Sequence, residues 1–158
     1  MDTLSAILVS IIAASTPLLF AALGELVTEK SGVLNLGVEG MMLVGAVAAF
    51  MVGIGTGSPV LAVLAGAAAG VVMALLFGVL TLTLLANQVA TGLALTIFGI
   101  GLSALMGKKY VGVPLTPLPK LDIPGLSEIP VLGPVLFGQD FLVYLSVFMV
   151  IAVSWFLF

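Results

Sequence analysis

The chain has 158 residues, 62% of them hydrophobic and 7% charged, and a formal net charge of −3. A soluble domain carries about 25% charged residues, so too few polar side chains are present to coat a water-facing surface. The cations are four lysines, and His and Cys are absent. This leaves no basic face for nucleic acid, no imidazole for acid–base work, no thiol nucleophile or disulfide, and no Cys or His set for a metal.

The charges are clustered. None occurs between Asp2 and Glu25, between Glu39 and Lys108, or after Asp140. A bilayer core of about 30 Å takes roughly 20 apolar residues of helix. The three runs therefore hold one, three and one spans, and the fold class they predict is all-α: a polytopic membrane helix bundle of about five transmembrane helices. The first run follows only Met1, Asp2 and Thr3. It lacks a positive leading region and is long for the core of a signal peptide, so it reads as a span.

Span one covers Leu4 to about Leu23, with Pro17 inside it. Membrane helices tolerate such a proline when neighbours re-satisfy the backbone, and a packing kink is preferred here to a bend beside a pathway. Gly24–Gly40, GELVTEKSGVLNLGVEG, is the most informative segment. It holds Glu25, Glu29, Lys30, Asn35 and Glu39 among glycines at 24, 32, 37 and 40. The apolar run that follows, Met41–Ile54, is too short to span alone. The second helix must therefore begin inside the polar segment, and part of that segment is expected at membrane depth. A carboxylate at the bilayer centre costs about 2.5–3.5 kcal/mol, so the segment is expected to face protein or a water-filled cavity. Gly32 and Gly37 suit a broken or re-entrant start to the helix. Asn35 is read as its N-cap, with Glu39 in the first turn where the helix dipole favours an anion. A cytoplasmic loop leading into an ordinary helix start fits the composition equally well.

A tight turn is expected over Gly53–Pro59, then a third span from about Val60 to Leu85. Ala62, Gly66, Gly70, Ala74 and Gly78 recur every four residues on one face of it. Such a smooth stripe, with Gly66 and Gly70 at its centre, is a packing signal. The fourth span, about Val89–Met106, is introduced by Asn87 and Gln88, with Thr91 one turn on. These amides can cap the helix or line a path, and capping is the simpler reading. Residues 107–138 hold six of the eight prolines, which forbid a long helix. Val111, Leu121, Ile123 and Leu132 suggest an ordered extramembrane loop packed on something. The fifth span is about Asp140–Phe158. It stops at Trp155–Phe158 without the polar or basic anchor that usually flanks a span, which leads to the expectation that the chain is the first part of a longer protein.

Glu29–Ala46, EKSGVLNLGVEGMMLVGA, resembles the signature of permease subunits of ABC importers in the branched-chain amino acid, ribose and nucleoside group. The wording SGVLNLGVEGMM looks most like the nucleoside, or simple-sugar, branch. TPLLFAALGELVTEK before it, and NQVATGLALTIFGIGLSAL and YVGVPLTPLPKLDIPGLSEIPVLGP after it, extend the resemblance over nearly the whole chain. The resemblance implies a single transmembrane permease domain over residues 1–158, half of a larger permease fold, in a prokaryotic cell (inner) membrane. It implies a second permease subunit, identical or different. It implies a cytoplasmic ABC ATPase that binds the ATP and Mg, and an extracytoplasmic solute-binding lipoprotein, with lipid around the bundle and no nucleic acid. The chain itself would hold no cofactor or metal and do no covalent chemistry. Asn35, Glu39, Asn87, Gln88 and Thr91 are the candidates for lining a solute path, and Gly32, Gly37, Gly40, Gly66 and Gly70 for helix breaks and packing. Counting lysines puts the proline-rich loop inside the cell. The resemblance puts it outside, beside Asp122 and Glu128, and outweighs four lysines. The competing readings are a non-transport assembly or anchoring subunit and, less favoured still, an intramembrane enzyme.

Overall fold

The computed structural model describes residues 3–115, 117–121 and 133–158. Five helices form: α1 Thr3–Lys30, α2 Val38–Thr56, α3 Pro59–Gly78, α4 Gln88–Gly107 and α5 Phe141–Leu157. Among the described residues no strand forms, and the only bridge is the isolated pair Lys120 and Asp140. The helices are apolar on every face, as membrane helices are. α1, α2, α3 with the turn that prolongs it, and α4 are long enough to cross a bilayer, and α5 is a shorter apolar helix. The chain divides into two compact units, Met1–Lys30 with Leu118–Phe158, and Ser31–Pro117.

The second unit is an up–down–up helix trio. α2 and α3 form a hairpin joined by Gly57 and Ser58 alone. Gly57 closes α2 in the left-handed conformation (φ 65°) and returns its N–H to the Gly53 carbonyl, while the Ser58 hydroxyl accepts from Leu61 N–H ahead of Pro59. The expected turn was longer, but helix continues through Gly53–Thr56 because its glycines are separated by Ile54 and Thr56, whose hydroxyl back-bonds the Val52 carbonyl. Gly66 of α3 meets the Gly45 carbonyl and Ala49 of α2. Gly70 and Gly78 meet nothing within 4 Å, so only the N-terminal half of the small-residue stripe is used for packing within this unit. Met41, Val44, Met73, Phe77 and Leu95 form the buried cluster at the centre of the trio.

α3 ends in a five-residue π-helical turn, Val79–Thr83. Leu84 and Ala86 then donate to the carbonyls of Val79 and Leu80, and this places Leu85 at φ 54°. A left-handed residue here is normally glycine, because a Cβ costs about 1–2 kcal/mol in that conformation. Leu85 is 83% exposed, so little packing is lost by trimming it. Leu85→Gly is expected to raise unfolding stability by up to about 1 kcal/mol, read as a higher midpoint in detergent; an unchanged or lower midpoint would show that the leucine is held by something other than local backbone.

In the first unit α1 packs on α5. α1 passes through Pro17 as one continuous helix. The hydroxyls of Ser10, Ser15 and Thr16 bond the carbonyls four residues back, so each is satisfied without water. Ser5, Thr16 and Ser146 are buried, small polar residues of the kind that let membrane helices approach. Lys30 at the end of α1 stands 4.2 Å from the centre of the Phe158 ring at the end of α5, so the two helices run in the same direction. α5 begins at Asp140, whose carboxylate accepts from Val143 N–H. Tyr144 in the first turn of α5 donates to the Leu136 carbonyl, and just before the helix Gln139 donates to the Val135 carbonyl while Leu121 N–H reaches the Gln139 carbonyl. The C-terminal border of the proline-rich segment is thus tied down.

In the second unit the opposite border of that segment packs through Leu115, whose side chain covers Gly53. Val111, expected to pack, is 83% exposed, and Leu121 is 46% exposed. Asp122, Ile123, Pro124, Glu128, Pro130 and Leu132 lie outside the described residues.

Candidate functional site

Ser31–Gly37, between α1 and α2, is the polar interruption singled out in the sequence. Helix α1 runs to Lys30, so Gly24–Lys30 is helical and the interruption is shorter than the composition suggested. Gly32 ends it at φ 81°, the left-handed cap that glycine adopts without strain. Asn35 is buried. Its Oδ1 accepts from Gly37 N–H at 2.9 Å and its amide meets Met41 Sδ at 3.6 Å. It therefore folds the loop onto itself and is not the N-cap of α2. That position belongs to Gly37, which offers no side chain, because the Asn35 oxygen closes a local turn two residues ahead before the helix begins. Glu39 lies in the first turn of α2, as expected, and is exposed.

The loop is fastened to α4. Gln88 Oε1 accepts from Leu34 N–H at 2.8 Å, and the Thr96 hydroxyl donates to the Leu36 carbonyl at 2.8 Å. Between these two ties, Gly92 of α4 meets the amides of Leu36 and Gly37. With a rise of about 1.5 Å per residue, the positions Gly92 and Thr96 lie about 6 and 12 Å along α4 from Gln88. The loop thus runs beside the interior of a membrane-length helix. Of the two amides that open α4, Asn87 is the cap, accepting from Ala90 N–H at 3.0 Å, and Gln88 is the tie. Thr91 is half-buried on the next turn.

α2 continues along the same face of α4. Gly40 lies against Leu95, Thr96 and Gly99, Val47 against Gly107, and Phe50 edge-on to Tyr110 at 6.2 Å. The order rises together in both helices, so they run parallel and their dipoles add. The three charges of this unit are Glu39, Lys108 and Lys109. Glu39 sits in the first turn of α2 and the lysines at the C-terminal end of α4, each with the sign its own helix dipole favours. Sequence reading missed Gly92, Thr96 and Gly99. Their spacing of four and three is one helix face, and three small residues on it were the available signal.

Apolar helices of membrane length, packed through glycine and interrupted by a polar loop seated against one of them, define a polytopic helical membrane protein. The chain belongs to the family described as branched-chain amino acid transport system / permease component, whose model matches residues 7–158. It is 40% identical over 90% of its length to the permease protein TsgC13 of Haloferax volcanii, whose assignment to glucose ABC transport is itself provisional; the match covers 44% of that protein. It is 31% identical to the guanosine ABC transporter permease protein NupQ of Bacillus subtilis and 27% identical to the nucleoside ABC transporter permease protein NupC of Lactococcus lactis subsp. cremoris, in each case over 98% of the chain and 52% of the relative. The chain thus spans about half the length of the curated relatives it matches. No solved structure matches it significantly. Its relatives are transport components and not enzymes, and the non-transport assembly reading is not favoured.

Proposed function

We propose that the chain is part of the membrane-spanning permease of an ATP-driven importer that carries nucleosides or a related small polar solute across a prokaryotic cell membrane. A solute-binding protein outside the membrane would deliver the solute, an ATPase subunit would bind ATP and Mg, and a second permease subunit would complete the path. The observation that carries this reading is the Ser31–Gly37 loop, which brings polar backbone and Glu39 alongside the interior of α4. Interrupted helices at membrane depth are where transporters hold solutes, because irregular backbone is tolerated only when buried or facing a cavity. The nucleoside permeases matched over 98% of the chain support the solute class.

Asn35, Glu39, Asn87, Gln88 and Thr91 are proposed as the polar lining of the path or its immediate support. Asn35, Asn87 and Gln88 already hold backbone amides, so they would act mainly by positioning, leaving Glu39 and Thr91 as the groups nearest to solute. The test is uptake of labelled guanosine, glucose and leucine by cells carrying the complete transporter. Guanosine uptake is expected, leucine uptake is not, and Glu39→Ala is expected to lower guanosine uptake at least tenfold at equal membrane abundance. Uptake of leucine alone would overturn the solute class, and normal uptake by Glu39→Ala would remove Glu39 from the lining.

A further inference from the structure

The C-terminal end of the α2–α4 pair carries Lys108 and Lys109, adjacent and exposed on the short 3-10 turn that closes α4. Beneath them opens a groove of about 650 Å³ lined by Met51, Leu105, Met106 and the two lysines. It adjoins a second groove of about 320 Å³, which shares Met51 and is walled by Phe50, Tyr110 and Val111. Lys109 Nζ lies 5.0 Å from the centre of the Tyr110 ring. The slot therefore has a cationic mouth, an aromatic flank and an apolar floor, and Leu105 on that floor is 74% exposed. Glu39 is the only acid of this unit. The next residue, Gly40, packs against Thr96 of α4, about 18 Å along the helix from Lys108 at about 1.5 Å per residue, too far for an ion pair with either lysine.

We propose that this slot binds an anionic phospholipid, with its headgroup phosphate between Lys108 and Lys109 and an acyl chain along Met51, Leu105 and Met106. Charge complementarity selects the headgroup, since basic pockets between membrane helices favour anionic lipid. Tyr110 and the lysines occupy the end of a membrane-length helix, where aromatic and snorkelling side chains meet the headgroup layer. An acidic face of a soluble protein would satisfy the lysines and leave the apolar floor uncovered; a lipid covers both. The lysines also complement the dipole at the end of α4, but that role affects stability and gives no preference among lipids.

The test is native mass spectrometry of the purified chain titrated with phosphatidylglycerol and with phosphatidylcholine of the same acyl chains. Two lysines near an anionic headgroup correspond to roughly a tenfold to thirtyfold preference, so the phosphatidylglycerol adduct is expected to be retained by about that factor. The Lys108→Gln/Lys109→Gln variant is expected to show a ratio of about one, Lys109→Gln alone an intermediate ratio, and Lys120→Gln the ratio of the unaltered chain. Glycerol 3-phosphate, which carries at least the headgroup's negative charge and no acyl chain, is expected not to displace the lipid. Helical circular dichroism checks that each variant is folded, and the single variant carries the test if the double one is not. Equal retention of the two lipids, a preference that survives the double substitution, or displacement by glycerol 3-phosphate overturns the proposal. So does lysine-dependent binding of a hexaglutamate peptide without lipid preference, which would assign the patch to an acidic protein partner.

Discussion

Replacing Gly99 by alanine is expected to drive α2 from α4 and to cost about 3 kcal/mol or more, the upper end of the range for overpacked sites. A Cβ at Gly99 would stand 2.5 Å from Gly40 Cα and 2.5 Å from the Gly40 carbonyl oxygen. A Cβ at Gly40 would stand 2.6 Å from the Leu95 carbonyl oxygen and 2.7 Å from Thr96 Cα. Every one of these neighbours is backbone, so no side chain can swing aside, and the helices must separate. Gly40→Ala is therefore expected to match Gly99→Ala. Gly70→Ala and Gly78→Ala are the controls. Nothing lies within 4 Å of a Cβ at either site, and alanine is the better helix former, so each is expected to be neutral or to stabilise by up to about 1 kcal/mol. Unfolding in detergent, followed by helical circular dichroism, separates the pairs. Equal midpoints across all four variants would show that the glycine crossing does not hold the trio together.

The second large effect is expected at Asn35. Removing its side chain in Asn35→Ala leaves Gly37 N–H, buried beside Leu95 and Gly92, without its acceptor. An orphaned buried donor costs about 1–3 kcal/mol. The loop would lose the turn that sets where α2 begins, and transport by the complete protein is expected to fall with stability. Gln88→Ala removes a tie to an exposed residue, Leu34, so its cost is expected to be under about 1.5 kcal/mol. Ranking the two by unfolding midpoint and by solute uptake tests this directly. A larger loss of stability at Gln88 than at Asn35 would mean that the anchor to α4, and not the turn, sets the loop.

Helix number and type were legible because they follow from runs of apolar residues between charges, a signal that needs no partner. The spans came within a few residues of the observed helices, apart from α1, which runs on past Leu23 to Lys30. Span one was expected to end near Leu23, yet helix continues through Gly24–Lys30 and stops just short of Gly32, where φ turns positive. The role of Asn35 was misread because a cap and a local turn use the same side-chain oxygen; only the backbone path decides between them. Gly70 and Gly66 look identical in the sequence stripe, and which of them meets α2 depends on where the helices cross. For the same reason Thr96, a residue without distinction in an apolar run, became one of two anchors of the loop only when α4 lay against Leu36.

The two-residue link between α2 and α3 also sets an order of assembly. Helices joined so tightly can pair as soon as both have entered the bilayer, with almost no chain to close. The loop's ties to α4 join residues 54 and 60 apart in the chain and must wait until α4 has been made. Within the trio the hairpin is thus the template, and α4 joins it third, parallel to α2, to clasp the loop and fix its shape. Until then the Ser31–Gly37 backbone has no partner on α4, so the interval between insertion of α3 and α4 is when the nascent chain most needs shielding from lipid.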